Sequence, residues 1–214
     1  MRLYLSDAVE FVRARMDELS FNNNDMISPA DDDRNFDRTV EELLPEADGF
    51  IIRSAPAALL EPESENGPDD VESVVYGDDG SVAVTIDLSS GFLRLVSFKS
   101  EDSPYYVTEP VPFNGPAARM QSNPYVRGTW DKPVLVERKT PGKVCYTYYS
   151  VKNGKPGFTI GKINTPSYSD DESIFCPEPL GPAVLNRLTG MVLDAYKETQ
   201  YAQTFYQKAA SYFA

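Results

Sequence analysis

The sequence predicts an α+β fold, in which helices from both chain ends pack beside antiparallel β meanders inserted between them. Three observations predict it. Apolar residues recur every three to four positions near the N-terminus and again after Pro182, the spacing of one helix face. Between these stretches, short runs alternate apolar and polar residues and are separated by glycine-containing turns, the pattern of half-buried strands. The composition, 41% hydrophobic with 13 Tyr and 11 Phe in 214 residues, is apolar enough for a core and too apolar for wholesale disorder.

The first part, residues 1–62, reads as helical. Leu5, Ala8, Val9, Val12, Met16 and Leu19 form one stripe, with Ser6 or Asp7 as cap and Glu10 as box partner to Asp7. Asn22-Asn23-Asn24-Asp25, Ser28-Pro29 and Asp31-Asp32-Asp33 are turn formers and predict a loop. A second stripe runs through Phe36, Val40, Leu43, Leu44, Ala47, Ile51, Ala55, Ala58 and Leu59. Pro45 inside it predicts either a kink or a new helix with Pro45 in its first turn, and Pro56 ends or re-bends the helix. Glu61 to Asp70, rich in acids and Pro, reads as a linker.

Residues 71–168 read as β. Val71 to Gly77, Ser81 to Leu88 and Phe92 to Lys99 form one predicted meander, joined by Asp78-Asp79-Gly80 and Ser89-Ser90-Gly91. In its middle strand Val82, Val84, Ile86 and Leu88 share one face, so one face is buried and one wet. Lys132 to Lys139, Lys143 to Lys152 and Gly157 to Ile163 form a second meander, turned at Thr140-Pro141-Gly142 and at Asn153-Gly154. Between the two lies a long irregular loop, 100–130, with five prolines and three repeats of an aromatic beside Pro or Gly.

The last part, 169–214, opens on Asp170-Asp171-Glu172 and then reads as helical throughout. Val184, Leu188, Met191, Ala195, Ala202, Phe205, Ala209 and Phe213 trace one face, with Pro182 in the first turn. Only Gly190 weakens the run, by about 1 kcal/mol, so one helix or two nearly continuous ones are expected. Parts 1–62 and 169–214 are expected to form one composite domain, with the β region as an insertion.

Composition also narrows function. The chain has no histidine, which removes the commonest general base, every histidine triad and the commonest metal ligand. Acid clusters at 31–33, 69–70, 78–79 and 170–172 lack alternating ligand spacing and read as solvated loop ends. Gly157 to Gly161 is not a phosphate-cradling loop, since it lies in a strand and lacks the required spacing. No catalytic, cofactor or metal residues are therefore expected, and the chain reads as an assembly protein, not an enzyme. A net charge of −13 repels phosphate backbones and anionic membranes. No apolar run is long enough for a membrane helix, and acid at Asp7 leaves no room for a signal segment, so synthesis in a cytoplasm is expected. Cys145 and Cys176, far apart and outside any CxxC pattern, read as reduced thiols.

Two features are candidate protein contacts. The first is Asn123 to Val134, which combines Tyr125, Arg127 and Trp130; it reads either as a loop anchor or as a corner with Trp130 in the core and Gly128 at positive φ. The second is the C-terminal helix, where Phe205 and Phe213 join Tyr201, Tyr206 and Tyr212. Its aromatics read either as core or as a partner surface, being too many all round to bury on one domain.

These residues together resemble the head-to-tail adaptor or ring proteins of tailed bacteriophages, especially those of crAss-like Bacteroides phages. The resemblance is carried by Val12-Arg13-Ala14-Arg15-Met16-Asp17, Val40 to Ala47, Pro124 to Gly128 before the strand at Pro133, and Phe175-Cys176-Pro177 before the terminal helix. It implies a virion connector between portal and tail, without cofactor, forming a closed ring of about twelve copies. Its implied partners are the portal protein, neighbouring tail or ring proteins and further copies of itself, with DNA passing through without adhering. The large β insertion departs from the small all-helical adaptors. Two other classes stay open on the residues alone: a β-rich module binding a ligand such as carbohydrate through Tyr and Trp130, and a hydrolase using paired carboxylates.

Overall fold

The computed structural model describes residues 1–22, 33–67, 71–149 and 155–213, and has the α+β class. It divides into two compact units, Met1–Leu60 with Thr165–Ala214, and Glu61–Asn164.

The first unit is built from both ends of the chain. It opens on a strand the periodicity does not reveal, β1 (Arg2–Tyr4), in which only Leu3 is buried. Helix α1 follows directly at Leu5 and runs to Asn22, so Ser6 and Asp7 lie inside its first turn and neither is its cap. Ala8, Val12 and Met16 of the predicted stripe are buried. The expected loop after Asn22 lies outside the described residues. Helix α2 (Asp33–Ser54) passes through Pro45 as one element; no new helix starts there. Phe36, Val40, Leu44, Ala47, Ile51 and Ile52 form its buried face. After Pro56 the chain makes a short 3₁₀ turn, Ala57–Leu59, which buries Ala57 and leaves the predicted Ala58 exposed.

In the second unit, the expected linker contains a strand. β2 (Ser64–Asn66) pairs antiparallel with β9 (Phe158–Asn164). The other strands are β3 (Ser73–Tyr76), β4 (Ser81–Asp87), β5 (Phe92–Ser100), β6 (Val111–Pro112), β7 (Val134–Thr140) and β8 (Lys143–Tyr149). They do not form two consecutive meanders. One sheet has the order β3-β4-β8-β7-β6 and the other β2-β9-β5. Each predicted meander is therefore split. β4 pairs with β8 while β5 pairs with β9, so the chain crosses between sheets after β4 and again after β8. The first crossing is made by a 3₁₀ turn, Leu88–Ser90, closed by Gly91 at φ 83°; Asp87 accepts the Ser89 N–H. The second includes Asn153-Gly154, which lies outside the described residues.

The two sheets share one core. Val82, Val84, Ile86, Val144, Tyr146 and Tyr148 face Phe92, Leu95, Phe98, Phe158 and Ile160. A register shift between Leu95 and Ser97 interrupts the alternation of β5, which is how Leu95, Val96 and Phe98 are all buried. Leu88 breaks from the inward face of β4 and is exposed.

The chain returns to the first unit through β10 (Ser173–Phe175), which pairs with β1. The Met1 ammonium donates to the Cys176 carbonyl at 2.8 Å. Asp171 receives Ser169, Ser173 and Arg2, and these bonds, led by Ser173, hold its carboxyl down at about 2. Helix α4 (Gly181–Ala195) carries Pro182 in its first turn, and α5 (Thr199–Ser211) folds back against it. The break at Tyr196–Glu198, with Lys197 at φ 66°, is what the continuous periodicity conceals. It turns Ala195 out to solvent, although the stripe places it inside. Gly190 is not simply a weak point. A Cβ there would meet the Tyr206 ring at 2.5 Å and the Ala202 carbonyl at 3.2 Å, so glycine is what lets α5 approach α4.

Both cysteines are free. Cys176 is buried, and that burial, reinforced by the Asp48 carboxyl beside it, pushes its thiol well above the ordinary range.

Candidate functional site

The predicted irregular loop proves to be a held scaffold for exposed apolar side chains. It leaves β5 through a two-way backbone bridge, Phe98 to Val107 and back, both bonds at 2.8 Å. Ser103, almost fully buried, ties the two ends of the excursion together. Its hydroxyl donates to the Trp130 carbonyl at 2.9 Å and accepts the Tyr105 N–H at 3.2 Å. Strand β6 then lies parallel on β7, at a sheet edge where Pro112 removes no ladder bond from a central strand. Gly115 leads into α3 (Pro116–Met120), whose first turn accommodates Pro116.

Gln121 fixes the next corner. Its side-chain N–H donates to the Ala117 carbonyl and its Oε1 accepts the Gly128 N–H, each at 2.8 Å, so a buried amide uses both ends. Asn123 makes an Asx turn, its Oδ1 accepting the Tyr125 N–H at 3.0 Å, while its carbonyl accepts from Val126 and Arg127. Thr129 and Lys132 exchange backbone bonds at 3.1 Å, and the Thr129 hydroxyl donates to Asp131. Gly128 is not among the positive-φ glycines. Glycine is required because a Cβ would sit 2.9 Å from both the Tyr149 carbonyl and the Val134 nitrogen.

With the backbone held in this way, the large side chains point outward. Tyr105, Tyr106, Phe113, Met120, Tyr125, Val126 and Trp130 are all exposed, more than half of the large apolar side chains so placed among the described residues. Tyr125 is 94% exposed and Trp130 46%, so Trp130 is not a core residue. Cations flank the rings: Lys99 lies 4.8 Å from the Tyr106 centroid and the Arg138 guanidinium 4.9 Å from that of Phe113. Arg127 is mostly covered and sits 3.7 Å from Asp79. The Asp79 carboxyl is held below its usual range, first by the Ser81 hydroxyl and also by Arg127.

Tyr125, Arg127 and Trp130, singled out in the sequence, thus lie on one excursion, with only Arg127 turned inward. Sequence reasoning missed Tyr105, Tyr106, Phe113 and Met120; Val126 lies within the stretch it singled out. The available signal was the repeated aromatic beside Pro or Gly, since such residues close tight corners and leave their neighbours outside.

The C-terminal candidates divide differently. Phe205 is buried, with Ala202 and Ala209, on the face α5 turns to α4. The Tyr206 ring covers Gly190 and its hydroxyl donates to Asp194 at 2.5 Å. Burial, followed by Asp194, pushes the Tyr206 phenol up to about 12. Tyr201 and Phe213 are half-buried and Tyr212 is exposed. Of the two alternatives, Phe205 is therefore core, while Tyr206 is half-buried with its hydroxyl bonded inside the unit.

Among the described residues, no group of three Cys, Asp or Glu is placed to hold a metal ion, and no helix is long and apolar enough to cross a membrane. No protein-family model matches the chain, and no curated protein matches it either.

Proposed function

We propose that this chain is a structural protein of a tailed-phage virion, a ring adaptor between portal and tail, acting by docking and without catalysis. The observation that supports docking is the excursion between β5 and β7, where a hydrogen-bonded backbone presents seven large apolar side chains to solvent. A monomer rarely leaves such residues together outside, and aromatic anchors held on a rigid frame cost little entropy to bury against a partner. The phage assignment rests on the sequence resemblance, and the acidity of the chain suits a conduit through which DNA passes without sticking. The partners in this reading are the portal, adjoining tail proteins and further copies of the chain in the virion, after synthesis in the bacterial host cytoplasm.

A variant carrying Tyr125→Ser, Val126→Ser and Trp130→Ser tests the docking surface. Tyr125 is 94% exposed, so its change is expected to alter stability by no more than about 0.5 kcal/mol; Val126 and Trp130 are partly covered, so urea unfolding is used to check that the variant stays folded. Sedimentation with the portal and tail proteins of the same phage should show the parent chain bound and the variant free. Equal binding by both would remove this surface from the account.

A further inference from the structure

We propose that the face carrying Phe113, Arg119, Met120 and Arg138 takes an acidic segment of a partner protein, one in which carboxylates sit among apolar side chains. The inference rests on the docking reading and names the chemistry of the partner. It starts from where the acids are absent. From Pro110 to Trp130, 21 residues, there is no Asp or Glu, whereas a chain with 33 of them in 214 would place about three there. The same stretch supplies five of the exposed large apolar side chains: Phe113, Met120, Tyr125, Val126 and Trp130. The stretch that exposes its rings is thus kept free of the chain's prevailing charge.

The charge it does carry is positive and not neutralised. Phe113 donates its N–H to the Glu137 carbonyl at 2.9 Å, which lays it along β7 beside Arg138. The Arg138 guanidinium carbon rests 4.9 Å from the Phe113 ring centroid, so the cation and the ring are covered or uncovered together. The Gly115 N–H closes a turn on the Pro112 carbonyl at 2.8 Å and leads into α3, which packs on β6 and carries Arg119 and Met120. Both arginines are exposed, and neither meets a carboxylate among the described residues. Elsewhere Arg2, Arg13, Arg15 and Arg38 each do so at 2.8–2.9 Å. Glu137, the acid of β7, is already engaged by the Tyr146 hydroxyl at 3.0 Å and by Lys139 at 3.2 Å.

These cations select the occupant. A wholly apolar partner that buried Phe113 would strip water from Arg138 and return nothing to its charge, which is costly. A carboxylate instead accepts two parallel N–H bonds from the free edge of a guanidinium. Exposed charges more than about 8 Å away are screened at physiological salt, so a segment confined to this acid-free face is little repelled by the rest of the chain. A nucleic-acid strand would run past the face onto the acidic remainder. It would also find two free cations where phosphate binding needs many, and Met120 and Val126 offer no ring for a base to stack on.

Binding to the portal and tail proteins of the same phage, measured at low and high salt, tests this on the parent chain and on Arg119→Glu with Arg138→Glu. The parent is expected to weaken as salt rises, and the charge-reversed protein to show a dissociation constant raised roughly 30-fold at low salt with its circular dichroism unchanged. A folded charge-reversed protein that binds like the parent overturns the acidic partner and leaves docking standing. If that protein fails to fold, Arg119→Gln with Arg138→Gln decides, and parent-like binding by it overturns the inference. An oligothymidylate bound by the parent and released by the charge reversal would make the partner a nucleic acid and overturn it as well. A parent chain that binds none of these proteins overturns both this inference and the docking reading.

Discussion

Phe98→Ala is expected to destabilise the β unit by about 3–5 kcal/mol, the cost of emptying a large aromatic site in a packed core. Phe98 is fully buried on β5, and its ring stacks on two others. Tyr148 of β8 lies 5.2 Å away at 24°, and Phe158 of β9 lies 5.4 Å away at 18°. Tyr148 belongs to the five-stranded sheet and the other two to the three-stranded sheet, so the stack joins the sheets across their shared core. The same residue exchanges both backbone bonds with Val107 that start the exposed excursion. Whole domains are stable by only about 5–15 kcal/mol, so this loss takes a large share. Urea unfolding should show the midpoint falling steeply, with Phe98→Leu recovering much of the loss because it leaves a smaller void. A shift worth less than about 1 kcal/mol for Phe98→Ala would mean the sheets do not depend on this stack.

The second large effect is expected at Gly128, where valine should cost about 3 kcal/mol, the upper end of ordinary overpacking. The atoms a side chain would strike are the Tyr149 carbonyl and the Val134 nitrogen, both backbone, together with the Val134 Cβ at 3.2 Å. Backbone of two paired interior strands, β7 and β8, cannot rotate away as a long side chain can. Relief has to come from lifting the excursion off β7 and β8 or from bending the corner that the Gly128 N–H closes on Gln121. Gly128→Val should therefore lose partner binding as well as stability. Gly91 provides the contrast: a side chain there meets nothing within 4 Å, and its φ of 83° is the only obstacle. Gly91→Asn should cost only about 1 kcal/mol, since asparagine tolerates the left-handed region. Chemical denaturation of the two variants side by side checks both values, and a Gly128→Val protein as stable as the parent would contradict the close approach.

The helices were legible because their signal is local. The stripes of α1 and α2 repeat every three to four residues and end inside the core, as Val12, Met16, Val40 and Leu44 show. The inward face of β4 was legible for the same reason. Sheet membership was not. Ser89-Ser90-Gly91 announces a reversal of the chain, but a tight turn says nothing about whether the strands on either side pair with each other. That is decided by distant partners, β8 for β4 and β9 for β5. β1 escaped notice because three residues with one buried side chain carry no period. The break between α4 and α5 turns on Lys197 at positive φ, a conformation usually signalled by glycine and here adopted by lysine.

The candidate surface was half legible for a different reason. Tyr125 and Trp130 stood out by composition, yet composition does not separate a ring facing the core from one facing solvent. The deciding bonds run from Ser103 to Trp130 and from Gly128 to Gln121, between residues whose sequence gives no hint of pairing. Gly190 shows the reverse error: by propensity it weakens a helix, and in the fold it admits the Tyr206 ring that holds α5.

Negative-stain imaging of the purified protein, alone and mixed with the portal protein of the same phage, tests the central claim most directly. The account predicts closed rings with a central opening, or an added ring of density on the portal when the two are combined. Dispersed single subunits that add no mass to the portal at any ratio would contradict it.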